Sequence, residues 1–179
     1  DEFLKEVMKM PHKNLAVELL QRLIKDEVKT KFRTNVVKQR KFSDLLGDSL
    51  SRYASRAVDA AQVIEELIAM AKKFKEDLER EGANGLTPEE SAFYDALAQN
   101  ESAQELMGEE VLVEMSREVA KNLRKNVTVD WAVRDSVRAR LRILIRNLLK
   151  RYKYPPDKQK GAVENVLRQA EVLSEDMVA

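Results

Sequence analysis

From Leu46 to Leu78 the apolar or small residues fall at steps of three and four: Leu46, Leu50, Tyr53, Ala57, Ala61, Ile64, Leu67, Ile68, Ala71, Phe74 and Leu78. That spacing draws one stripe along a helix. No proline interrupts it before Pro88, and Gly47 lies early enough to be tolerated. Taken at face value, a single helix opens at Ser43 and covers about 44–80, roughly 55 Å at about 1.5 Å per residue. Such a helix exceeds the usual globular length and acts as a strut or a protruding arm. The expected fold is all-α, an elongated multi-helix domain built around that long helix (about 44–80). The 179 residues suffice for one sizeable domain or two small ones. We take 1–179 as a single helical domain, with a sub-division left open near 82–88.

The flanking segments repeat the helical pattern. Met10-Pro11-His12 breaks a first helical stretch, Asn14 is a candidate N-cap, and Leu15, Leu19, Leu20, Leu23, Ile24 and Val28 recur at helical spacing. Gly82-Ala83-Asn84-Gly85 closes the long element. The strongest start signal follows it: Thr87 as cap, Pro88 at the first helical position and Glu90 completing a capping box. That helix runs to about Leu97, and 100–108 holds a turn or one short helix. The next covers about 110–123 and buries Val111, Leu112, Met115, Val119 and Leu123. The segment from Asn126 to Trp131 is β-flavoured but too short for a sheet. It reads as an extended connection, with Thr128 or Asp130 capping a helix over about 131–152. Tyr154-Pro155-Pro156 ends that helix, because a residue before proline resists the helical region. A last helix spans about 157–177, with Ala162, Val163, Val166, Leu167, Ala170 and Leu173 inward.

Composition excludes several classes of function. Charged residues at 35% and only 5 Gly and 4 Pro suit solvated helices better than a sheet. The absence of cysteine removes disulfides, zinc-thiolate sites and thiol nucleophiles, and it fits a cytoplasmic protein. No apolar run is long enough to span a membrane. The opening residues lack the basic start and apolar core of a signal peptide, and the chain reads as a piece of a longer one. The glycines at 47, 82, 85, 108 and 161 form no phosphate-cradling loop. With a single histidine, His12, there is little for a metal or a nucleophile–base pair; beside Pro11 it reads as a turn or helix-start residue. A nuclease of the PD-(D/E)xK kind would open at Pro156-Asp157, but Glu164, Glu171, Glu175 and Asp176 are never followed two places later by Lys. We therefore expect no catalytic, cofactor-binding or metal-binding residue here.

Net charge is +1, so the total points neither to nucleic acid nor to a membrane. Its distribution is uneven. From Glu76 to Glu114 there are 12 acidic residues against one basic, whereas Asp130 to Lys153 holds 8 basic against 2 acidic and Lys25 to Lys41 holds 7 against 2. Within the second region Arg134, Arg138, Arg142, Arg146 and Lys150 recur at steps of four, each one residue after an apolar Val133, Val137, Leu141, Ile145 or Leu149. The two rows wind together as adjacent ridges, the basic one roughly 24 Å long. One reading sets the cations against DNA phosphates in sequence-independent binding. Another has them flank the buried stripe, pack their stems on it and meet the acidic 76–114 region. A surface for a partner protein stays open beside both. The 25–41 stretch reads as a solvated face, and Trp131 as a core anchor.

Several short runs, in order, resemble the C-terminal domain of the R (motor and nuclease) subunits of type I restriction enzymes. They are Leu15-Ala16-Val17-Glu18-Leu19-Leu20; Asn35-Val36-Val37 with Phe42-Ser43; Gln62-Val63-Ile64-Glu65-Glu66-Leu67; Ala92-Phe93-Tyr94-Asp95-Ala96-Leu97; and Lys125 to Trp131. The most specific are Val137-Arg138-Ala139-Arg140-Leu141-Arg142 and Tyr152-Lys153-Tyr154-Pro155-Pro156-Asp157. The resemblance covers essentially the whole chain. It implies a cytoplasmic parent with a nuclease domain and two helicase-like domains, which uses ATP and Mg²⁺ to translocate and cleave DNA. It implies as partners the methyltransferase (M) and specificity (S) subunits and the helicase-like domains of the same parent chain. Duplex DNA remains a further candidate partner, with no membrane involved. It carries no catalytic residue over to this chain. The implied role is docking to the methyltransferase–specificity complex, with non-specific DNA contact along the translocation path as the alternative.

Overall fold

The computed structural model describes residues 2–126 and 134–178. Among the described residues it is all-α, with helices α1 (Glu2–Lys9), α2 (Lys13–Lys31), α3 (Val36–Ala54), α4 (Ala60–Ala83), α5 (Pro88–Ala98), α6 (Glu101–Met107), α7 (Glu109–Asn126), α8 (Arg134–Arg151) and α9 (Gln159–Val178). The expected capping residues Thr128 and Asp130, and Trp131, lie outside the described residues. The chain divides into two compact units, Asp1–Arg33 with Lys38–Arg80, and Thr34–Val37 with Glu81–Ala179.

The first unit is built on α2, α3 and α4. Ala16, Val17, Leu20, Ile24 and Val28 of α2 meet Phe42 and Leu46 of α3 and Val63, Ile64, Leu67, Ile68, Met70 and Phe74 of α4. At its centre the rings of Phe32, Phe42 and Phe74 pack with centroids 4.8–5.6 Å apart. The inward set of α2 differs from the expected one at its edges: Leu15 is exposed, while Ala16 and Val17 are buried. His12 is the N-cap of α2, as a helix-start residue, but makes no side-chain cap bond. Asn14 is not the cap; its Oδ1 instead accepts a hydrogen bond from the Tyr53 hydroxyl.

The single helix over 44–80 is not formed. Ser43 lies inside α3, and the chain turns between Ala54 and Ala60. Arg56 sits in the left-handed region at φ 60°. The Ala57 N–H bonds the Arg52 carbonyl at 2.9 Å and the Arg56 N–H bonds that of Tyr53 at 3.1 Å, which is the pairing of a Schellman C-cap. Asp59 then starts α4 through a reciprocal box. The Gln62 N–H donates to Asp59 Oδ1 at 2.8 Å, and the Asp59 N–H donates to Gln62 Oε1 at 3.0 Å. Arg52 crosses the turn to both carboxylate oxygens of Glu66, at 3.0 and 2.7 Å. A left-handed arginine carries steric cost that glycine avoids. Arg56→Gly should therefore stabilise the protein by about 0.5–1 kcal/mol, read as a higher urea midpoint with an unchanged slope.

The second unit packs α5 on α7 and α9, and α8 on α9 and α7. The capping box at Thr87 and Glu90 is present with Pro88 in the first turn. The inward residues expected for α9 are all buried, as are Leu112, Met115, Val119 and Leu123 of α7, with Val111 at the edge. Of the apolar ridge of α8, Leu141, Ile145 and Leu149 are buried and Leu148 joins them; Val133 lies outside the described residues. α8 ends with Lys153 left-handed at φ 56°. Tyr154 then turns inward, and its hydroxyl donates to the Leu97 carbonyl at 2.7 Å. The short segment Thr34–Val37 belongs to this unit: Asn35 donates to Asp95 at 2.7 Å, and the Val36 N–H donates to the side chain of Gln169 at 2.9 Å.

Candidate functional site

The basic ridge lies on α8, whose buried side is pinned between α7 and α9. Each four-residue step turns about 40° around the helix axis. The basic row winds together with the buried apolar one and swings roughly 120° about the axis between Arg138 and Lys150, so its later members leave the side of α8 that faces α9. This rotation divides the five cations. Arg138 bonds Glu171 at 2.7 Å and Arg142 bonds Glu164 at 3.0 Å, both glutamates on α9. Their counterparts are thus on α9 and not in the acidic 76–114 region. Arg146 and Lys150 are exposed, with no ion-pair partner among the described residues. The side chain of Arg134 lies outside the described set. Both paired arginines keep 40% or more of their side-chain surface in solvent, and exposed pairs of this kind are worth at most about 1 kcal/mol each.

A residue outside the ridge completes the outward side. Arg140 is exposed, and Ile143 between Arg140 and Arg146 is 57% exposed. Ile143 and Leu144 line a groove of about 530 Å³ along α7 and α8, together with Leu148, Arg140, Asn122, Asn147 and Arg151. Periodic reading of the basic row missed Ile143, because it falls outside both four-step series. An apolar residue among cations, off the buried stripe, was the available signal.

The groove's other wall carries a hydrogen-bonded cluster. Glu118 of α7 accepts from Arg151 and, at 2.7 Å, from the Tyr152 hydroxyl, which also lies 3.2 Å from Glu114. Burial works to raise the Glu118 carboxyl. The hydrogen bonds from Tyr152 and Arg151, with the charges of Arg151 and Lys121, outweigh it and hold the carboxyl below its usual range. The Tyr152 phenol is pushed up to about 12, first by its hydrogen bond to Glu118, then by burial and by Glu114. A phenol raised in the folded state contributes stability that is complete below its unfolded value of about 10 and is lost as pH climbs through the folded value. The stability difference between wild type and Tyr152→Phe should accordingly be constant up to about pH 10 and shrink toward pH 12, measured by urea denaturation across that range.

In the basic stretch at 25–41, Lys25, Lys29 and Lys31 are exposed with no ion-pair partner among the described residues, as a solvated face, while its later cations have partners. Lys41 bonds Asp77 at 2.8 Å, Arg40 pairs with Asp44 at 3.6 Å, and the Lys38 ammonium lies over the Phe32 ring at 5.2 Å. Among the described residues no group of three or more His, Asp or Glu side chains could hold a metal ion. None of the described helices is long and apolar enough to cross a membrane.

The sequence matches known proteins along its whole length. A family model described as "Type I restriction enzyme HindI endonuclease subunit-like, C-terminal" matches residues 1–176. The type I restriction enzyme HindI endonuclease subunit of Haemophilus influenzae is 44% identical over 177 residues, 99% of this chain and 17% of that protein. A Methanocaldococcus jannaschii relative named as a type I restriction enzyme MjaIXP endonuclease subunit is 34% identical over 97 residues, 54% of this chain and 9% of that protein. The chain therefore spans less than a fifth of the length of these relatives. No solved structure matches.

Proposed function

This chain belongs to the family of HindI-like C-terminal regions of type I restriction endonuclease subunits, and on that premise we propose that it is an assembly module, docking its parent subunit to the methyltransferase and specificity subunits. The observation that carries the reading is the outward side of α8, where Ile143 stands 57% exposed among Arg140, Arg146 and Lys150. Protein interfaces combine apolar anchors with arginine, and the apolar member gains nothing from a phosphate backbone. On this reading the catalytic work of the parent, ATP-driven translocation and Mg²⁺-dependent cleavage of DNA in the cytoplasm, lies in regions outside this chain. Deleting 1–179 from the full-length endonuclease subunit should abolish its co-purification with the methyltransferase–specificity complex. Co-purification at the wild-type level would reject the docking role.

The second reading, contact with duplex DNA, is favoured by the same exposed cations. It predicts binding that weakens steeply as salt rises, because released counterions drive it. Under it, Arg140→Gln, Arg146→Gln and Lys150→Gln reduce DNA affinity more than changes at Arg138 or Arg142, whose charges already face Glu171 and Glu164.

A further inference from the structure

We propose that the groove along α7 and α8 receives an acidic amphipathic helix of a partner protein, seated on Ile143. The inference rests on the docking reading above and names the chemistry of the occupant. The apolar part of the groove's lining is Ile143, 57% exposed, with Leu144 and the buried Leu148. Of the groove's lining Arg140 carries the unpaired charge; Arg146 and Lys150 lie outside the lining on the same helix, and the exposed carboxylate of Glu114 on α7 holds only the Tyr152 hydroxyl. Arg140, Arg146 and Lys150 are exposed and have no ion-pair partner among the described residues. The carboxylate in the groove wall, Glu118, is already engaged by Arg151 and Tyr152. Asp135, the one acidic residue of α8, lies more than a turn before Arg140. A partner surface that fits must supply apolar side chains to Ile143 and Leu144, with carboxylates on its flanks. From Arg140 to Arg151 the rim is roughly 16 Å long, enough for about three turns of helix laid in the groove. Duplex DNA would satisfy the cations and leave Ile143 in water.

The test uses the 179-residue chain and three probes. These are a synthetic peptide of about 18 residues with leucines at i, i+3, i+4 and i+7 flanked by glutamates, a scrambled peptide of the same composition, and a short duplex DNA. Nuclear magnetic resonance titration should place the patterned peptide on α7 and α8. Ile143→Asp should weaken it by about tenfold or more, Ile143→Ala by less, and Arg140→Ala with Lys150→Ala by several-fold in a salt-dependent manner. Circular dichroism of the variants should match wild type, since position 143 is solvent-facing. Equal binding of the scrambled peptide, or indifference to Ile143→Asp, overturns the proposal. So does DNA binding at α8 that competes with the peptide and ignores position 143, or self-association of the chain that Ile143→Asp removes. In the full-length subunit, loss of assembly on deleting 1–179 together with normal assembly of Ile143→Asp sinks this inference alone. Normal assembly after the deletion sinks the docking reading beneath it.

Discussion

Phe42→Ala is expected to cost the first unit about 3–5 kcal/mol, the range for truncating a buried aromatic. Phe42 is fully buried. Its ring stacks on Phe32 at 5.6 Å and meets Phe74 edge-on at 5.2 Å, and the Lys41 ammonium lies 5.2 Å from its centre. Removing it therefore opens a cavity at the point where α2, α3 and α4 converge, and it strips two aromatic contacts worth about 0.5–1.5 kcal/mol each beyond area burial. Thermal unfolding followed by circular dichroism should shift downward by on the order of 10 °C. Phe42→Leu, which refills most of the volume, should recover more than half of the loss. A drop below about 1 kcal/mol for the alanine variant would mean that this cluster does not organise the unit.

Gln169→Ala is expected to cost the second unit about 2–4 kcal/mol, although it removes no large apolar surface. Gln169 is fully buried on α9. Its amide nitrogen donates to the Thr34 carbonyl, and its oxygen accepts the Val36 N–H at 2.9 Å. That N–H opens α3 and has no partner within the helix. Alanine leaves both backbone groups without their side-chain partner, and the cost of each buried orphan is about 1–3 kcal/mol. Gln169→Glu discriminates the hydrogen bonds from mere packing. A neutral carboxylic acid can donate to Thr34 and accept from Val36, whereas a carboxylate cannot donate. Burial raises the carboxyl in the folded state, so the variant's stability is greatest below the unfolded value of about 4.3 and falls as pH rises. Chemical denaturation at acid and neutral pH should show this slope in the difference between the variant and wild type, whose own stability falls toward acid pH through Glu118.

The capped and striped helices were legible in the sequence because their signals are local. Thr87-Pro88-Glu89-Glu90 fixes the start of α5, and the inward residues of α9 follow one face without interruption. The turn after Ala54 was hidden because it contains neither Gly nor Pro, and apolar steps continue across it. Ala57 and Ala61, which sustained the apparent stripe, are exposed. The signal for the restart was present in Asp59 and Gln62, a capping box with Asp and Gln. Arg56 gives no such sign, since its left-handed conformation is imposed by the hydrogen bonds around it.

The ridge on α8 was legible as a pattern but not as an environment. Its periodicity places five cations in one winding row, while the identity of each neighbour depends on packing. α9 presents Glu171 and Glu164, seven residues apart, to Arg138 and Arg142. The helical rotation then carries Arg146 and Lys150 to the solvent side, where they join Arg140 and Ile143. The candidate surface thus shifts from the full row to its later half and one isoleucine.

Photo-crosslinking from position 143 distinguishes a protein-docking surface on the outward side of α8 from a DNA-facing one. A photoreactive amino acid replaces Ile143 in the full-length endonuclease subunit, the enzyme is assembled on DNA with its methyltransferase and specificity subunits, and the adducts are identified by mass spectrometry after illumination. The expected adduct joins position 143 to an acidic helical segment of one of those subunits. An adduct to DNA alone, or no adduct in a fully assembled enzyme, would contradict the docking reading.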